Sequence, residues 1–176
     1  MLHRQLKTFA AVLALVVVSF GAMADSGAVA GKVLAVKGKV TAQAGDKTRE
    51  LTTGADLKVG DTVVTEAGSF AVVEFVDGAR ATIRPNSQLA VNKYAYGSKD
   101  DGAVLQLVKG GLRALSGAIA KDNPDNFKVK TNVATLGVRG TEFDIRLCGK
   151  DCGEEQKRAE TRLPGMQGYG YAVLQN

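Results

Sequence analysis

The stretch that decides the fold class reads Phe70-Ala71-Val72-Val73-Glu74-Phe75-Val76-Asp77-Gly78-Ala79-Arg80-Ala81-Thr82-Ile83-Arg84. Its first six residues are β-formers, and after Gly78 the residues Arg80, Thr82 and Arg84 alternate with Ala81 and Ile83. A period of two belongs to strands, because successive side chains leave opposite faces of the sheet. Asp77-Gly78 between two such runs predicts a two-residue type I′ hairpin, since both central positions of that turn need positive φ. The return strand should have one solvated face, while the outgoing strand has enough apolar residues to be buried on both.

The same punctuation continues in both directions. Lys32 to Val36 and Lys39 to Ala42 flank Lys37-Gly38, and Gly45-Asp46 turns the chain toward Thr48 to Leu51. Downstream, Ala103 to Val108 is followed by the turn Lys109-Gly110-Gly111 and by Leu112 to Leu115, and Phe143 to Leu147 and Tyr169 to Leu174 have the same strand character. Ser116 to Asp122 could form one helical turn, which Pro124 must end. No self-similarity at periods of 20 to 50 residues marks a repeat array. The expected fold is all-β: a single domain of many short strands, arranged as a roll, a sandwich or an irregular solenoid, with at most one or two short helices.

The ends have different characters. His3, Arg4 and Lys7 precede an apolar run from Thr8 to Phe20, and Ala22-Met23-Ala24 has the small-x-small pattern of a signal peptidase site. Residues 1–24 are therefore expected to be a signal peptide cleaved after Ala24. The apolar run is too short for a spanning helix, which needs about 20 residues, so no stable membrane span is expected after cleavage. Residues 25–30 are read as a linker and 31–148 as the β domain. Residues 149–176 are read as a charged insertion with a terminal strand, which is either an edge or the last element of an incomplete domain.

Of the 23 basic side chains, Arg4 and Lys7 leave with the leader, so the net charge of +5 becomes milder. The remaining charges are interspersed with few aromatics, which argues against a nucleic-acid groove. The single histidine, His3, leaves as well. A chain without histidine builds no Ser-His or Cys-His nucleophile pair and no imidazole zinc site. An enzyme is not expected, nor a cofactor or metal. In an oxidising compartment Cys148 and Cys152, with three residues between them, are expected to form a disulfide, with a reactive thiol pair the alternative.

One further stretch contains more than a hairpin needs: Thr135-Leu136-Gly137-Val138-Arg139-Gly140-Thr141-Glu142-Phe143-Asp144-Ile145-Arg146. Gly137 and Gly140 are expected to serve a backbone with positive φ or a close strand approach. Arg139 is expected to be held internally by Glu142 or Asp144, the alternative being an outward contact to a partner or anionic glycan. Glu142 and Asp144 share one face of a strand, but no second acidic cluster frames a sugar cleft.

With the upstream Phe127-Lys128-Val129-Lys130-Thr131, this stretch resembles the signature of the FecR-domain family, bacterial cell-envelope proteins typified by periplasmic regulators of iron transport. Earlier pieces fit in order: Gly54 to Asp61 as G-x-x-L-x-x-G-D, then Thr62 to Thr65, Asp77-Gly78, and Pro85-Asn86-Ser87-Gln88-Leu89. The resemblance makes Gly137, Arg139, Gly140, Thr141, Glu142 and Phe143 the signature residues. It implies a periplasmic location and a β domain that makes protein or envelope contacts. The best-understood members also have a cytoplasmic sigma-factor-binding segment, one membrane helix and a small domain that docks a transporter; the present chain resembles their periplasmic β domain alone. The expected function is a non-enzymatic interaction or sensing module with an unknown periplasmic protein partner, possible links to signal transduction or iron-transport regulation, and a cell-wall glycan-binding or surface-structural role as the alternative.

Overall fold

The structure, a computed structural model, describes residues 27–138, 142–148 and 169–175, the last of these and Cys148 by backbone alone. Strands in chain order are β1 (Val29–Lys37), β2 (Val40–Ala44), β3 (Lys47–Glu50), β4 (Asp56–Lys58), β5 (Thr62–Thr65), β6 (Phe70–Phe75) and β7 (Arg80–Ile83). They continue with β8 (Gln88–Ala95), β9 (Gly102–Lys109) and β10 (Gly111–Leu115). After the short helix α1 (Ala118–Asp122) and a 3-10 turn (Pro124–Asn126) come β11 (Phe127–Lys130), β12 (Thr135–Gly137), β13 (Glu142–Cys148) and β14 (Tyr169–Gln175). The expected signal peptide with Ala24, the residues Arg139, Gly140 and Thr141, the charged run after Cys152, and the Cys148–Cys152 pairing lie outside the described residues.

Two seven-stranded sheets result. The first has the order β14-β13-β10-β7-β6-β1-β4 and the second β12-β11-β9-β8-β5-β2-β3. Their inner faces share one cluster of buried residues, with Val73, Ile83 and Leu112 from the first sheet meeting Val63, Leu89, Leu105 and Val129 from the second. Of the three architectures that the short strands allowed, this is the sandwich. Strand neighbours are antiparallel except for β9 with β11 and β13 with β14.

The alternation in residues 70–84 produces the hairpin it predicts, with Ala71, Val73 and Phe75 of β6 and Ala81 and Ile83 of β7 inward. The second face of β6 is half-buried, not buried. The turn is of another type, however. Gly78 donates to Phe75 O at 2.9 Å and Ala79 O accepts from Phe75 N at 2.8 Å. Gly78 has φ +80°, while Asp77 is not among the residues with positive φ. This is a type I turn closed by a left-handed glycine bulge. Only Gly78 takes the unusual backbone, which leaves the Asp77 side chain free to turn inward.

Asp77 is only 7% exposed. Its Oδ1 accepts from the Tyr94 hydroxyl at 2.7 Å and from Ala79 N at 3.1 Å, and its Oδ2 accepts from Ile119 N at 3.2 Å. Its carbonyl accepts from Ala118 N at 2.9 Å. Asp77 thus caps α1 from 42 residues away in sequence, a service usually given by the residue before the helix. That residue is Gly117, where an added Cβ would collide with the Asp77 carboxylate.

Candidate functional site

The signature stretch is the crossing from one sheet to the other. It begins as β12, the edge of the second sheet, and resumes as β13 inside the first. On β13, Phe143 points into the core and makes an edge-to-face contact with Phe127 at 6.1 Å between ring centroids. Glu142 and Asp144 share the outer face, as their spacing requires. Their partners come from neighbouring strands: Arg113 of β10 binds Glu142, and Arg84, which follows β7, binds Asp144. The Arg113 pair is diagonal: in the antiparallel register Arg113 lies opposite Asp144, but it reaches Glu142, which lies opposite Leu115. Both carboxylates expected to hold Arg139 therefore already carry a cross-strand arginine. Arg113 is 57% exposed, and exposed ion pairs contribute little. Arg113→Ala should lower stability by less than about 1 kcal/mol, measured by urea denaturation.

Gly137 does not behave as a geometric glycine. It sits in β12 without positive φ, and an added Cβ would meet nothing within 4 Å. Among the described residues neither expected reason for a glycine applies. β12 pairs antiparallel with β11, with Lys128 opposite Gly137, Val129 opposite Leu136 and Lys130 opposite Thr135. At the hairpin end Thr131 N donates to Ala134 O at 2.8 Å. Hydrogen-bonded and non-hydrogen-bonded pairs alternate along an antiparallel ladder, so the next bonded pair is Val129 with Leu136. The main-chain N–H and C=O of Thr135 and Gly137 consequently point away from β11, along the sheet edge. Leu136 packs partly against the core, and Val133 in the preceding turn is 51% exposed. Among the described residues no backbone group bonds them, so the arrangement offers an extended segment two residues with outward main-chain groups beside an apolar rim.

The other motif pieces support the sandwich itself. In the Gly54 to Asp61 run, Leu57 is fully buried, and Asp61 is 1% exposed. Asp61 Oδ2 accepts from Arg49 Nη2 at 2.5 Å and from Lys58 N at 2.7 Å. In the Pro85 to Leu89 run, Ser87 Oγ accepts from Gly111 N at 2.9 Å, and Ser87 N donates to Thr65 Oγ1 at 2.9 Å. These bonds tie the β7–β8 corner to β5 and β10. The roles of Asp61, Arg49 and Ser87 are not legible in the sequence because Arg49 and Asp61 stand 12 positions apart and the partners of Ser87, Thr65 and Gly111, stand 22 and 24 away. Lys128 and Lys130 were visible as part of a motif, but nothing local assigned them a task. Among the described residues there is no group of three or more His, Cys, Asp or Glu placed to hold a metal, and no helix long and apolar enough to cross a membrane.

A family model described as FecR protein matches residues 61–160. The chain belongs to the FecR family. No curated protein and no solved structure matched it. The FecR match starts at Asp61, in the turn before β5, yet β1 lies between β6 and β4 and β2 between β5 and β3. The sandwich of this FecR protein thus extends beyond the matched residues toward the N-terminus. The edge strand β12 and both cross-strand arginines lie within them.

Proposed function

We propose that this FecR-family protein is a non-enzymatic interaction or sensing module of the bacterial periplasm, which takes up an extended segment of a partner protein along β12. The observation that carries the proposal is Gly137: an exposed glycine in an edge strand, without turn geometry or a close neighbour, next to outward main-chain groups. Glycine within a strand commonly marks a place where another backbone approaches, and strand addition needs free main-chain donors and acceptors with pockets for alternate side chains. The leader-like residues 1–24 support export, and the family supports a link to signalling or to iron-transport regulation. The motif pieces around Asp61, Asp77 and Ser87 hold the fold through their hydrogen bonds, which supports the non-enzymatic reading.

A pair of proline variants tests the edge. Gly137→Pro removes an N–H that points outward, whereas Leu136→Pro removes one that bonds β11. Gly137→Pro should leave the melting temperature within a few degrees of the parent and abolish capture of the periplasmic partner in a pull-down. Leu136→Pro should be destabilised by about 1–3 kcal/mol, the cost of leaving its β11 acceptor without a donor. Capture unchanged by Gly137→Pro would remove the edge from the binding surface.

A second reading has its own observation. One row across the outer face of the second sheet reads Thr48, Gln43, Thr62, Ala90 and Gln106 in register from β3 to β9. Hydroxyl and amide groups without charge suit a neutral glycan. Saturable co-sedimentation with purified peptidoglycan, unaffected by Gly137→Pro and without a protein partner, would favour it over the edge.

A further inference from the structure

We infer that the segment accepted at β12 alternates acidic with apolar residues, its acidic side chains meeting Lys128 and Lys130. The inference rests on the proposal that β12 is the docking edge, and specifies the chemistry of what docks there.

Side chains of β11 alternate across the sheet, with Phe127 and Val129 buried and Lys128 and Lys130 exposed on the outer face. Among the described residues neither lysine makes an ion pair, although Lys32, Lys39, Arg49, Arg80, Arg84 and Arg113 all do. Two like charges two residues apart on one strand repel each other, and no carboxylate among the described residues relieves them. They gain from an opposite charge that arrives later.

The register shows where that charge must come from. Lys128 lies opposite Gly137 and Lys130 opposite Thr135. A strand added outside β12 would run about 10 Å from β11, two strand spacings. That separation is within the combined reach of a lysine and a glutamate, provided that the residue between them is small. Gly137 has no side chain to cross, and Thr135 has a short one. Residues of the incoming strand opposite Gly137 and Thr135 therefore face Lys128 and Lys130. The residue between them, opposite Leu136, points toward the core side, where Leu136 is partly packed and Val138 is buried. Acidic, apolar, acidic is the pattern that satisfies all three positions. Gly137 also gains a purpose: a larger side chain there would stand between Lys128 and its partner.

The test uses the full chain and two labelled seven-residue peptides, one alternating Glu with Val and a control alternating Gln with Val, read by fluorescence anisotropy at low and high salt. The Glu peptide should bind at least tenfold more tightly than the Gln peptide at low salt. The gap should close at high salt, where exposed charges are screened, and in the double variant Lys128→Gln/Lys130→Gln. Gly137→Pro should weaken both peptides. If both bind equally and Gly137→Pro weakens both, the acidic preference is overturned while the docking edge stands. If neither binds, or Gly137→Pro changes nothing, the edge itself fails and the inference with it. A concentration-dependent dimer abolished by Gly137→Pro would give the edge to a second copy of the chain and overturn the acidic partner.

Discussion

Asp77→Ala should destabilise the protein by on the order of 3 kcal/mol or more, the summed cost of leaving buried polar groups without partners. Three donors converge on this carboxylate: the Tyr94 hydroxyl, Ala79 N and Ile119 N. They come from β8, from the β6–β7 turn and from the first turn of α1, so one side chain ties both sheets to the helix. Alanine would strand the Tyr94 hydroxyl inside the core and uncap α1. Asp77→Asn should fall between parent and alanine variant, because an amide offers one acceptor oxygen where the carboxylate uses two, and its NH₂ would face a donor at either end. Tyr94→Phe should cost about 1 kcal/mol, one hydrogen bond. Urea denaturation of the three variants gives the ordering; an Asp77→Asn variant as stable as the parent would mean that the contact to Ile119 contributes nothing.

The same network gives a pH dependence. Burial, and then the hydrogen bond to Asp77, push the Tyr94 phenol above its ordinary value of 10.0. The native state thus holds this proton more tightly than the unfolded chain does. The stabilisation is fully present below about pH 10 and is lost as the pH rises beyond it, when the unfolded tyrosine ionises and the buried one cannot. Tyr94→Phe should flatten that alkaline limb of the stability profile.

The hairpin at residues 70–84 shows how far local pattern reaches. Alternation placed Ala81 and Ile83 inward and Arg80 outward, and Asp-Gly located the turn. Asp77 reads locally as a turn former, because aspartate tolerates positive φ and its true partners, Tyr94 and Ile119, stand 17 and 42 positions away. Likewise the signature stretch is legible as two strand-like segments around a charged corner, but the cross-strand partners of Glu142 and Asp144 are not: Arg113 and Arg84 come from 29 and 60 positions away, while Arg139 lies outside the described residues. Gly137 misled for a related reason: most strand glycines are geometric, and only coordinates reveal one with open space around it. A strand's identity is written in a few adjacent residues, whereas its neighbours are set by a topology that crosses repeatedly between sheets.

That topology makes Phe127 the other position of large effect. Phe75 stacks on Tyr94 at 4.3 Å, Tyr94 meets Phe127 edge-on at 6.5 Å, and Phe127 meets Phe143 edge-on at 6.1 Å. The four rings run across the core, with Phe75 and Phe143 from the first sheet at the ends and Tyr94 and Phe127 from the second between them. Phe127 is among the largest side chains that are fully buried, and it starts β11, the strand on which β12 depends. Phe127→Ala should cost about 4 kcal/mol through the lost transfer energy and the cavity left behind, measured by thermal or urea unfolding. Phe127→Leu should recover more than half of that, since it restores volume but not the ring contacts. β11 supplies both the hydrogen bonds that hold β12 and the two lysines proposed to face its partner, so Phe127→Ala should also weaken partner binding without touching the edge. Restoring stability with Phe127→Leu should restore binding in proportion. A Phe127→Leu variant that is stable yet still fails to bind would mean that the rings set the position of the edge, beyond merely supporting it.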